Sequence, residues 1–337
     1  MTGAARSSRR RWTLLGKAAL VVGVAAGGLW TATHGVAGVS WVSVLGVLGG
    51  VTAWQLGLLA LIWLGGLGIY SLVLSAALPG LGVRRSLLLN LSGSAVANVV
   101  PLGGAVATAM NWRMARTWGH SDGAFAAYCL LTNVLDVLTK LVLPMVAVAT
   151  LVALSMRVPP VLWAMTAGCA VVILVALLVR AVLSRRRSGD EPDAGWLRSL
   201  RALVQESGGR MREVLSDHWQ RLLSASIGYV AAQVVLLYVS LHAVGLAAPV
   251  GVVLTAAAIE RLGTLVPLTP GGTGVAEVGT IAWLVAAGLN PVAVVAGVLL
   301  YRVFLIVMEI PVGGALLAAW VWGQRTSGGR RRFRVVA

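Results

Sequence analysis

Charge is scarce in this chain. Only 11% of its 337 residues are charged, 58% are hydrophobic, and just 11 are Asp or Glu. No soluble globular domain needs that balance, and a mean hydropathy of +0.88 points the same way. Cysteine is nearly absent: Cys129 and Cys169 both fall inside apolar runs and read as small core residues, with no disulfide signal. The four histidines, His34, His120, His218 and His242, show no metal-ligand spacing. No GxSxG, P-loop or HExxH pattern occurs. The acidic "GDEPD" sits in a Gly/Pro-rich setting and reads as a solvated loop. The sequence therefore gives no ground to expect an enzyme, a metal or a cofactor.

What the chain has is length of apolar run. Leu14–Thr33, Val51–Leu78, Gly123–Met156, Val161–Leu183, Leu222–Leu246 and Pro291–Trp322 each reach the roughly 20 residues a helix needs to cross the hydrocarbon core. The expectation is an all-α polytopic membrane protein with about six full spans. The first run has a basic flank, but Lys17 interrupts its start and "TATHGVAGVS" is a poor cleavage site. An uncleaved signal anchor is expected.

The net charge of +16 sits between the runs, in "RSSRRRW", "GVRRS", "VRAVLSRRRS" and "RRRFRVVA". No module that reads RNA or DNA accompanies it, so nucleic acid is not the expected partner. The positive-inside rule accounts for the pattern, with anionic lipid headgroups as further contacts. Placing each cluster inside a cell membrane makes both termini cytoplasmic. It also divides the chain into residues 1–50 (basic segment, anchor and external loop), a first membrane half at 51–183, a polar cytoplasmic linker at 184–221, a second half at 222–323 and a basic tail at 324–337. The later part of the linker carries Trp196, Leu197, Leu200 and Leu203 at helical spacing, as a surface amphipathic helix would.

Two segments are left over, 90–112 and 255–288. Each holds Val-Pro-Leu followed by Gly-Gly: Pro101 with Gly103 and Gly104, then Pro267 and Pro270 with Gly271 and Gly272. Proline and glycine break helices, and at membrane depth the freed backbone must face protein or water. Downstream, "GHSDGAFAAYCLLTNVLDVLTKL" lies over "GLNPVAVVAGVLLYRVFLIVMEI" at a constant offset of 169. The topology has the first segment follow a cytoplasmic loop and the second an external one. Together they predict two re-entrant broken-helix hairpins in an inverted repeat, the arrangement that marks a transporter's substrate site. For one such segment alone, a Pro-kinked span would be the simpler account.

Intramembrane charges are functional suspects. Asp136 and Lys140 are one turn apart and suited to pair with each other. Arg302 and Glu309 are seven apart and so share a face of a regular helix. Lys140 and Glu309 are equivalent under the repeat, which would let them approach across its axis. Glu260 and Arg261 lead into the second hairpin, and Glu277 follows its Gly-Gly. A lipid phosphate would suit an Arg fork and a half-helix N-terminus, which Arg261, Arg302 and the amides near Gly271 could supply. Glu277 is free to pair with a cationic headgroup, carry a coupling proton or hold Arg302. Asn90, Asn98 and Asn111 are suited to satisfy the broken backbone of the first hairpin.

"PLTPGGTGVAEVG" followed by "GLNPVAVVAGVLLYR", with "NVVPLGGAVATAMNWRMARTWGHS" earlier, resembles the lysylphosphatidylglycerol synthase transmembrane region family, the flippase-like domain. The resemblance runs over nearly the whole chain from the second span onward. It implies movement of a lipid, such as an aminoacylated phospholipid, between leaflets. Members that make such a lipid carry a large synthase domain after the membrane region, for which 337 residues leave no room, so a separate lipid-modifying synthase is an expected partner. Many relatives also place Glu-Arg where Thr132 and Asn133 precede Asp136 here, which weakens any first-half lipid-phosphate contact. The expected function is a flippase for a lipid or lipid-linked precursor. The alternatives are a membrane subunit or enzyme of lipid aminoacylation or glycosylation, and a non-transporting scaffold.

Overall fold

The structure, a computed structural model, describes residues 38–100, 103–185, 195–265 and 274–333. The run at 14–33 lies outside these residues, as do Pro101, Pro267, Pro270, Gly271 and Gly272. Helices α1 (Trp41–Gly49), α2 (Ala53–Ala77), α3 (Val83–Val99), α4 (Gly103–Thr117), α5 (Asp122–Ala153) and α6 (Pro160–Arg185) come first. They are followed by α7 (Gly195–Ala243), α8 (Val250–Gly263), α9 (Val275–Ala286), α10 (Pro291–Arg302), a π-helical turn (Val303–Val307) and α11 (Glu309–Phe333). No strand occurs among the described residues. This is a polytopic helical membrane protein.

Five stretches are long and apolar enough to cross a membrane: Ala53–Ala77, Asp122–Ala153, Pro160–Leu178, Ser207–Ala243 and Pro291–Gln324. They fall on five of the six apolar runs, because run length is what a span demands. Helix α5 continues through Pro144 without a break in its assignment. Two boundaries differ from the sequence reading. Residues 41–49, expected in an external loop, form α1, capped by Ser40 and packed against α10 with Val44 fully buried. The region from 195 to 221, expected as linker plus separate surface helix, is continuous with the fifth span. At 49 residues, α7 is about 73 Å long at 1.5 Å per residue. That is more than twice the hydrocarbon core of roughly 30 Å, so much of it projects beyond the membrane.

The two leftover segments are helical hairpins. Arms α3 and α4 pack antiparallel, with the Asn111 amide donating to the Leu89 carbonyl at 3.3 Å. Arms α8 and α9 pack antiparallel, with the Trp283 indole N–H donating to the Val252 carbonyl at 2.9 Å. Near the tip of this second hairpin Gly263 lies against the Ala276 backbone, so close that a Cβ at Gly263 would stand 2.8 Å from the Ala276 Cα. Only glycine permits that approach. Arms of 17 and 15, then 14 and 12 residues, span about 18–25 Å, short of a full crossing.

The hairpin bases lie at opposite ends of the bundle. At one end, Gly80 before α3 meets His120 before α5. At the other, Gly251 at the start of α8 meets Leu151 and the Arg157 carbonyl beyond α5. Three long helices, α5 to α7, separate the hairpins in sequence, and an odd number of crossings reverses their direction. The halves also exchange partners: α3 packs on α11, α8 packs on α5, and the equivalent helices α2 and α7 pack on each other. The α2–α7 contact is tight because Gly66 faces Ala232 and Gly228 faces Ile69.

Candidate functional site

Hairpin 2 is where charge collects. Helix α9 begins at Gly274, whose φ of 99° is a conformation that L side chains rarely adopt. That turn lets Glu277, three residues on, reach back and accept the Gly274 N–H at 2.6 Å through Oε2. Its other oxygen, Oε1, lies 2.9 Å from the Arg302 Nε. Glu277 thus caps the half-helix and holds the arginine at once, which is why the break needs a carboxylate. Helix α10 is phased by the Asn290 cap, which accepts the Ala293 N–H at 3.1 Å, and by Pro291 in its first turn. That start sets Arg302 at the end of α10, where its Nη2 also lies 3.1 Å from Glu260 Oε1. Glu260, Glu277 and Arg302 are all buried. One guanidinium therefore joins both arms of hairpin 2 to α10. The contacts are ion pairs and not aligned hydrogen bonds, since Nε and Nη2 of Arg302 lack hydrogen-bond geometry to any acceptor. Removing the arginine from such a buried group leaves two carboxylates without their cation, at about 3–5 kcal/mol.

Arg261, next to Glu260, points elsewhere. Its guanidinium lies 5.8 Å from the Tyr229 ring centroid, and its Nε is buried with no hydrogen-bond partner among the described residues. It lines a small cleft with Tyr70, Thr132, Asp136, Thr139 and Ser226. Asp136 is committed to Lys140 at 2.7 Å, as the one-turn spacing suggests, with the Asp136 side chain 42% exposed and that of Lys140 11%.

Glu309 does not share the Arg302 face. The π-helical turn Val303–Val307 stands between them. A π-turn inserts one extra residue into an α-helix, rotating the downstream helix by roughly 100°. Arg302 accordingly meets hairpin 2, while Glu309 has Ser94 of hairpin 1 as a polar neighbour and borders a cleft between α2 and α7. Glu309 and Lys140, equivalent in the sequence echo, do not pair. In hairpin 1, Gly103 and Gly104 open α4, Asn98 is half-buried near the end of α3, and Asn111 bonds a carbonyl within the opposite arm and not at the break. The sequence reading passed over Tyr70, Tyr229, Trp63 and Gln233. Gln233 was visible as a lone amide in an apolar run; the aromatic residues gave no signal, because rings are ordinary in spans.

The family model described as lysylphosphatidylglycerol synthase TM region matches residues 18–313. The chain belongs to that family. No match was found among curated proteins. Membership makes this a membrane protein of a lipid-related family. The match takes in both hairpins and the Glu260–Glu277–Arg302 group.

Proposed function

We propose that the protein is a flippase that moves a lipid or lipid-linked precursor between leaflets of the cell membrane, not an enzyme. The observation that carries this reading is the pair of broken-helix hairpins based at opposite ends of the bundle, one of them clamped by buried charge. Broken helices at corresponding places in two inverted halves are how transporters build a site near the membrane midplane. In this reading the Arg302 clamp fixes hairpin 2, and Arg261, whose Nε has no hydrogen-bond partner, is the cation that meets a lipid phosphate beside the Asp136–Lys140 pair. Guanidinium suits that task because it stays charged and grips phosphate through two donors. The two termini are placed in the cytoplasm by the arginine distribution, and the partners are membrane lipids with anionic headgroups and a separate lipid-modifying synthase.

The test is a leaflet-resolved assay with the protein in liposomes holding short-chain fluorescent phospholipids of lysyl-glycerol, glycerol and choline headgroup. Protein-dependent access of an outer-leaflet quencher to inner-leaflet probe is expected for at least one headgroup, slowed at least tenfold by Arg261→Gln. Equal quenching in empty and protein-containing liposomes for every headgroup would overturn the reading.

A further inference from the structure

The cleft bordered by Glu309 is separate from the Arg302 clamp and has a distinct chemistry. Besides Glu309 it is lined by Trp63 and Gly66 of α2, by Tyr229 and Gln233 of α7 and by Leu305 of the π-turn, and it encloses about 20 Å³. That is enough for one water-sized particle. Trp63 and Gln233 are 6% and 7% exposed. The Trp63 indole N–H and the Gln233 Oε1 are both buried without a hydrogen-bond partner. Buried polar groups are nearly always satisfied, so a donor and an acceptor left unpartnered on two residues that line one cleft point to something that binds beside them.

Glu309 completes the picture. It is 8% exposed, and among the described residues no cation lies within ion-pair distance of it. The groups around it are Ser94 from α3, Trp63 and Tyr70 from α2, and Tyr229 and Gln233 from α7; none is cationic. Of the nearby arginines, Arg302 pairs with Glu260 and Glu277, and Arg261 lies over the Tyr229 ring without reaching ion-pair distance of Glu309. A carboxylate buried with one hydroxyl partner and no cation is costly unless it takes up a proton or a metal cation.

We propose that Glu309, the Gln233 Oε1 and the Ser94 hydroxyl form a site for one monovalent cation, a proton or a sodium ion. The site touches α2, α3, α7 and the π-turn, so occupancy bears on hairpin 1 and on the helix that carries Arg302. On the flippase reading, this cation is what couples lipid movement to an ion gradient.

The test uses the full chain in detergent micelles, following melting temperature and tryptophan fluorescence against pH, and against NaCl with choline chloride as the control salt. Wild type is expected to show a saturable transition in one series that Glu309→Gln abolishes. A pH transition alone identifies a proton, and a sodium transition alone identifies sodium. Gln233→Leu, which keeps the carboxylate, should weaken the apparent affinity by roughly tenfold for the lost oxygen contact. It also serves if Glu309→Gln fails to fold. A wild type that responds to neither series, a Glu309→Gln variant that titrates like wild type, or an unchanged Gln233→Leu would each overturn the site. The readout needs no lipid movement. An intact titration beside an absent flipping signal would therefore sink the flippase reading alone.

Discussion

Both hairpins join their arms by a close glycine approach and one side-chain hydrogen bond, but only hairpin 2 adds buried charge. In hairpin 1 Gly93 makes room for Asn111, and the helix that docks on it brings Gly313 against the Leu91 backbone. In hairpin 2 two carboxylates, one on each arm, close on Arg302. The same helix-break-helix plan is thus fixed by packing alone on one side of the molecule and by packing with electrostatics on the other. Packing at close backbone approach is unforgiving of volume but indifferent to pH. An ion cluster tolerates small shifts yet fails when one member is lost.

The largest expected break in that contrast is Arg302→Gln. It leaves both Glu260 and Glu277 without their cation, so destabilisation of about 3–5 kcal/mol is expected, read as melting temperature in detergent. Glu277→Gln should cost less than Arg302→Gln, because Glu260 still pairs with the arginine and no buried charge is left without a partner. The Glu277→Gln/Arg302→Gln double variant should be no worse than Arg302→Gln alone. Additive losses in that cycle would dissolve the clamp into independent contacts.

Next comes Gly313→Val. Overpacking a tight helix crossing is expected to cost about 1–3 kcal/mol, with little dependence on ionic strength. A Gly313→Val variant as stable as wild type would remove the packing half of the contrast. Asn111→Leu should come after it at about 1 kcal/mol for its single interarm hydrogen bond, measured by the same melts. The smallest effect belongs to Lys140→Gln. Its pair with Asp136 lies within one helix and ties no second element to it, so the loss should fall below that of Asn111→Leu in the same melts. A Lys140 effect as large as that of Arg302 would show charge governing the first half as well.

Much of the architecture was legible in the residues alone. The apolar runs marked five of the spans, because no other structure hides that many backbone groups from lipid. Val-Pro-Leu with Gly-Gly located both hairpins, and the Asp136–Lys140 pair was implied by helical spacing. Glu277 with Arg302 was one of three options for that carboxylate, and the geometry selected it. Glu260 as a second ligand of Arg302 was missed, since its side chain joins through the crossing of α8 and α10 and not through any local spacing. Asn111 was assigned to the helix break and instead ties the arms.

By itself the sequence determined where helices run and where they break, because hydrophobic length, proline and glycine act locally along the chain. It also determined which residues carry charge inside the bundle. Only the tertiary structure decided which of them meet. Glu309 shows why: a regular helix puts it under Arg302, but the π-turn at Val303–Val307 turns it toward α2, α3 and α7. That extra residue is recorded in no motif. On either side of it the neighbours differ: α10 packs on α1, α7 and α9, and α11 packs on α3.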